Sequence, residues 1–290
     1  MDEELGDYLG PRISPDGTRV AVEFRQRRGD SYSLWTDTVE TGAFSQFTFE
    51  GTAIIAAWSP DGSETAFSSN RSSPNDIFRK PSDGSGPAQV LLAHELRQLN
   101  GSWSVNDELA FYVHNPATNR DIWTVDLETG NAAEFLATTA QERSPRFSPD
   151  GNWIAHLSDE MGQYDVWVRP FPSVRDTRYR SISIGGGVEP AWARDGTELF
   201  FRNFSGDMMA VPVTFGQTFS FEDPVKLFDG SAYMSGFEPP QNGETNYGIH
   251  QDGRVLMVTN DQRPPAERPV QQINIVLNCY ENNLDQVISV

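Results

Sequence analysis

Cysteine is almost missing from this sequence of 290 residues, with Cys279 standing alone. That excludes an intrachain disulfide and any cysteine-cluster metal site. Lysine occurs only as Lys80 and Lys226, so arginine supplies nearly all of the positive charge. Even so, 22 basic residues face 41 acidic ones, for a formal net charge of −19. A chain so poor in positive charge lacks the basic face with which a protein displaces counterions from nucleic acid, and it is not attracted to anionic lipid. Long apolar runs are missing too. Ala53 to Trp58 and Ile273 to Leu277 fall far short of the ~18 residues a bilayer-spanning helix needs, so no direct membrane insertion is expected. The opening Met-Asp-Glu-Glu-Leu has neither the basic region nor the apolar core of a signal peptide. An acidic, lysine-poor composition suits a salty habitat, and it equally suits a GC-rich genome with ordinary demands on solubility.

What is present is a repeat, and a repeat outranks other sequence signals because it dictates architecture. Ser14-Pro15-Asp16-Gly17 recurs as Ser59-Pro60-Asp61-Gly62 and Ser148-Pro149-Asp150-Gly151. Weaker copies are Ser104-Val105-Asn106-Asp107, Ala193-Arg194-Asp195-Gly196 and His250-Gln251-Asp252-Gly253. The third residues fall at 16, 61, 106, 150, 195 and 252, separated by 45, 45, 44, 45 and 57. An aromatic or aliphatic residue precedes each turn (Ile13, Trp58, Trp103, Phe147, Trp192, Ile249), and a β-rich run follows. Asp-Gly closes a hairpin because glycine accepts positive φ and aspartate bonds its own backbone. Further on comes a strand such as Asp76-Ile77-Phe78, Asp121-Ile122-Trp123 or Asp165-Val166-Trp167, then a second turn and a fourth strand.

Four short strands per ~45 residues is the pattern of a β-propeller blade. A lone four-stranded sheet cannot bury both faces, whereas radial stacking does, with the repeated Trp and Phe filling the wedges. The expected fold is all-β: one domain, 1–290, a six-bladed β-propeller of four-stranded antiparallel blades. The blades are placed at 9–50, 51–94, 95–138, 139–184, 185–230 and 245–290, with a terminal strand closing the ring. The reading leans toward the N-terminal segment over 285–290 as the outermost strand of the last blade. A propeller with short outer strands is expected to be monomeric.

Chemistry is mostly not found. The turn aspartates Asp16, Asp61, Asp150, Asp195 and Asp252 sit on separate blades and should not converge. His94, His114, His156 and His250 occupy different repeat positions, so no histidine metal site is predicted. There is no Gly-x-Ser-x-Gly nucleophile elbow and no glycine-rich phosphate loop leading into a helix. No catalytic residue and no cofactor is predicted. Acidic side chains at a channel mouth would suit a calcium ion, but spacing cannot bring three of them together.

Two features point to binding. In a propeller, blade-to-blade connections and second-to-third-strand loops share one face, around the channel mouth, and loops held on a rigid scaffold carry function. Residues ahead of each first strand should ring that mouth: Tyr8, Thr52, Asn100, Glu142, Arg143, Glu189 and Asn246. Arg12 and Arg146 are expected to point inward, and such a mixed Arg/Glu ring suits a polar ligand or a peptide terminus. The long interval of 57 places its excess in 231–244, where Tyr233 and Phe237 would form a lid or a partner contact.

The copy Trp58-Ser59-Pro60-Asp61-Gly62, then Ala66-Phe67-Ser68-Ser69-Asn70-Arg71, then Asp76-Ile77-Phe78 resembles the TolB-like repeat of bacterial six-bladed propellers, in turn related to WD-repeat-like sheets. Val168-Arg169-Pro170-Phe171-Pro172, Gly185-Gly186-Gly187 and Ile273-Asn274-Ile275-Val276-Leu277-Asn278 are similar to the propeller C-terminal to bacterial transmembrane serine/threonine kinases. No kinase glycine-rich loop, His-Arg-Asp or Asp-Phe-Gly is present. The resemblance implies a sensing or scaffolding module with a protein or peptide partner, outside the cytoplasm. The alternatives are a hydrolase or lyase with a divalent metal in the channel, or the gating propeller of an oligopeptidase.

Overall fold

The Ser-Pro-Asp-Gly stretches fold into hairpin corners, and each side chain has a defined job in the corner. In the computed structural model, Ser14 Oγ donates to Asp16 Oδ1 at 2.5 Å and accepts from the Arg19 amide at 2.9 Å. Asp16 Oδ1 also accepts from the Thr18 amide. Ser59 and Asp61 repeat these contacts, as do Ser148 and Asp150. The closing glycines Gly17, Gly62 and Gly151 have φ of 75°, 72° and 72°, a conformation that costs a residue with a Cβ energy. The structure describes residues 7–26, 30–39, 44–72, 74–172, 180–216, 218–230, 245–258, 273–276 and 287–289.

Among the described residues, twenty-five strands form six antiparallel sheets, one per turn motif. The first comprises β1 (Asp7–Ile13), β2 (Arg19–Arg25), β3 (Ser33–Thr38) and β4 (Ser45–Gln46). The second has β5 (Ala53–Trp58), β6 (Glu64–Ser69), β7 (Asp76–Pro81) and β8 (Gln89–Leu92). The third has β9 (Gln98–Trp103), β10 (Glu108–Asn115), β11 (Asn119–Asp126) and β12 (Ala132–Leu136). The fourth has β13 (Arg143–Phe147), β14 (Trp153–Ser158), β15 (Asp165–Pro170) and β16 (Arg180–Ser181). The fifth has β17 (Val188–Trp192), β18 (Glu198–Arg202), β19 (Asp207–Thr214), β20 (Ser220–Phe221) and β21 (Val225–Asp229). The last has β22 (Tyr247–Ile249), β23 (Val255–Val258), β24 (Ile273–Val276) and β25 (Val287–Ser289).

Two expectations are corrected here. Five sheets carry the expected four strands, not six, because the fifth has five. The cause is the eight-residue β19, long enough to pair with β20 through Val213 and Thr214 and with β21 through Asp207 to Ala210. The outermost strand of the last sheet is the C-terminal β25, paired with β24, rather than the N-terminal segment. Residues 7–13 are instead used as β1, whose register runs from Asp7↔Arg25 to Ile13↔Val20.

Successive first strands pack on one another around an axis, and β1 packs against β22, so the first and last sheets meet. Apolar side chains fill the wedges between sheets. Ala66 and Ile77 of the second sheet pack with Leu109, Phe111, Val113 and Val125 of the third. Polar staples reinforce the wedges: Trp58 Nε1 donates to Arg12 O and Trp192 Nε1 to Arg146 O, each at 3.0 Å. Arg19 lies over the Trp58 ring and donates to Gly62 O and Ser82 O on the neighbouring sheet.

The innermost strands share a further device. Register shifts fall between Leu9 and Arg12, Ile54 and Ala57, Arg143 and Arg146, and Val188 and Ala191. In each, one residue takes positive φ: Gly10 (55°), Ile55 (58°), Ser144 (53°) and Glu189 (64°). Such bulges re-aim side chains, and here they sit six residues before the turn aspartate.

Candidate functional site: an axial cavity

A cavity of about 370 Å³ lies on the axis, lined by residues of all six sheets. Its size falls within the ~300–1,000 Å³ typical of ligand sites. Trp58, Trp103 and Trp192 stand in its wall, and Arg12 and Arg146 are also among its lining residues. Pro15, Pro60, Val105, Pro149 and Arg194, all from the first hairpin turns, form its rim. The cavity therefore lies on the hairpin-turn side, not on the loop face where sequence placed the mouth.

Both arginines are held by main-chain oxygens. Arg12 Nη1 donates to Thr245 O at 2.6 Å, and Arg146 Nη1 donates to Gly101 O at 2.5 Å. Arg146 Nη2 also reaches Thr245 Oγ1 at 3.4 Å. Thr245 thus touches guanidinium groups from the first and fourth sheets. A guanidinium fixed in this way presents a planar fork suited to carboxylates.

Around that rim, exposed carboxylates of the same turns outnumber the guanidinium of Arg194. Asp16, Asp61, Asp107, Asp150, Asp195 and Asp252 are exposed, one per sheet. The Ser14 hydroxyl bond holds Asp16 down to about 2, and the Ser59 hydroxyl does the same for Asp61. Asp16 and Asp61 are therefore ionised across the physiological range. Asp16, Asp61, Asp150, Asp195 and Asp252 each accept a main-chain amide of their own turn, so they do not gather around a common point. Among the described residues, no three His, Cys, Asp or Glu side chains are grouped so as to hold a metal ion. The histidines are separate as well. His156 is fully buried and held near 3 by burial, accepting from Arg169 Nε at 3.1 Å, while His250 bonds to Gly17 O and Asp252.

The family model for the TolB β-propeller domain matches residues 3–168, more than half of the chain. The chain belongs to that family. An uncharacterised protein of Agrobacterium fabrum is 28% identical over 155 residues, covering 53% of this chain and 52% of that one. The Tol-Pal system protein TolB of Desulfosudis oleivorans is 31% identical over 113 residues, covering 39% of this chain and 25% of that protein. This chain's matches thus span about half and a quarter of those two relatives' lengths. A solved TolB structure from Agrobacterium tumefaciens superimposes with a TM-score of 0.63 at 20% identity, over 86% of this chain and 87% of that one.

In this TolB-family propeller, the residues expected to ring an open mouth are instead shut inside. Glu142, Arg143, Glu189 and Asn246 are all buried. The bulges at Ser144 and Glu189 turn the strands inward, and neighbouring first strands close over them. Glu189 pairs with Arg202 at 3.7 Å, and Asn246 Nδ2 reaches Glu189 Oε1 at 3.5 Å. Burial raises Glu189 above the usual carboxylate range. Arg143 lies over the Tyr164 ring at 4.2 Å, and burial lowers it. Glu142 accepts from Thr138 Oγ1, its Oε2 has no hydrogen-bond partner, and burial with nearby Asp121 pushes it up to about 7. These four brace the interior of the TolB-type ring. Tyr233 and Phe237 lie outside the described residues. Of the anticipated binding residues, Arg12 and Arg146 line the open cavity. The cavity wall of Trp58, Trp103 and Trp192 was missed, although the large apolar residue recurring three positions before the third residue of each turn marks it.

Proposed function

We propose that this chain is a non-catalytic, six-bladed, monomeric binding module whose axial cavity receives a segment of a protein or peptide partner. The observation that carries this reading is the cavity itself, built jointly by six sheets, with fixed cations and aromatic walls. Membership of the TolB family supports a protein-binding or scaffolding role within a larger bacterial protein, outside the cytoplasm. The earlier placement of the partner on the loop face gives way to the hairpin face, because the loop-face residues Glu142, Arg143, Glu189 and Asn246 have no surface to offer.

Site-specific photocrosslinking tests this. Val105 is 55% exposed at the cavity rim, and Val90 is 54% exposed on the outer strand β8. With p-benzoylphenylalanine at position 105, a discrete crosslinked partner is expected in the source cell. The same residue at position 90 should give none. Crosslinks from 90 alone, or from neither position, would count against the cavity.

A further inference from the structure

The charge pattern of the cavity selects among partners, and this step rests on the cavity being the binding site. A free anion approaching the axis meets a hairpin face on which six exposed carboxylates outnumber the rim guanidinium of Arg194. The summed potential at the rim repels it. A wholly cationic peptide is drawn to the rim but finds Arg12 and Arg146 inside. The arrangement suits a ligand of two signs, with an anionic tip and a cationic body.

We infer that the axial cavity takes the free α-carboxylate at the C-terminus of a basic polypeptide, with Arg12 and Arg146 receiving the carboxylate and the turn aspartates facing the basic residues behind it. Two features of the site agree. The guanidiniums are set by Thr245 O and Gly101 O, so little freedom is lost when a carboxylate docks. A volume of about 370 Å³ holds the last few residues of a chain and no folded domain.

The test uses the intact chain and a pool of basic hexapeptides, randomised at the last three positions, prepared as free acids and as C-terminal amides. Affinity selection read by mass spectrometry should retain the acids at least tenfold over the amides. Raising salt should weaken retention, and Arg146→Gln or Arg12→Gln should erase the acid preference. Acidic hexapeptides with the same termini should not be retained. Equal retention of acids and amides overturns the carboxylate assignment, with no need for a variant to fold. So does displacement by citrate at the same concentration as peptide, which would assign the cavity to a small anion. Failure of all peptides while the Val105 crosslink still forms also overturns this inference and leaves the cavity reading in place; loss of the Val105 crosslink removes both.

Discussion

Phe111→Ala is expected to lower the free energy of unfolding by about 3–5 kcal/mol. Phe111 is 1% exposed and packs among Leu109, Val113 and Val125 of its own sheet and Ala66 and Ile77 of the preceding one. Truncation removes apolar burial and leaves a void between two sheets, each held by its own hydrogen-bond ladder. The void collapses only partly, because every sheet is also wedged by its other neighbour. Urea denaturation should show a lower midpoint with an unchanged slope. Val105→Ala, at an exposed turn, should stay within about 0.5 kcal/mol of the parent. A loss under 1 kcal/mol for Phe111→Ala would mean that these rings do not hold the sheets together.

Glu142→Gln is expected to stabilise the protein, and only at neutral to alkaline pH. Glu142 is fully buried, one of its carboxylate oxygens lacks a partner, and burial raises it from 4.5 to about 7, with Asp121 nearby adding to the shift. Between pH 4.5 and 7 the folded state therefore holds a proton that the unfolded state has released. Stability falls as pH rises through that window, and the penalty is complete above it. Its size is on the order of 2–3 kcal/mol. Glutamine has the same shape and no charge to desolvate, so Glu142→Gln should raise Tm clearly at pH 8 and hardly at pH 4. Equal effects at both pH values would show that Glu142 does not titrate in this range, and destabilisation at pH 8 would show that its charge is paired.

The architecture was legible because its cause is local and repeated. Ser59, Asp61 and Gly62 each supply one contact or one backbone angle to a corner, and the spacing of those corners sets the spacing of the sheets. The fifth strand of the fifth sheet was hidden because nothing in Asp207 to Thr214 announces that one strand will serve two partners at its two ends. The interior polar residues were misplaced for a related reason. Glu142, Arg143 and Glu189 look like solvent-facing groups by polarity alone, yet strand bulges and the closing of adjacent first strands shut them in. Only Gly10, among the four positive-φ bulge residues, hints at that geometry by residue type. Arg12 and Arg146 were found because they directly precede the recurring large apolar position of the repeat, Ile13 and Phe147, which fixes the side of the strand they occupy.

The most direct test of the account is the structure of the chain bound to the partner captured through position 105. The account predicts a polypeptide segment inside the axial cavity, against Trp58, Trp103 and Trp192, with an anionic group at Arg12 and Arg146. A partner seated instead on the opposite face, over the exposed Met161, Ile184 and Phe204, with the cavity empty, would contradict it.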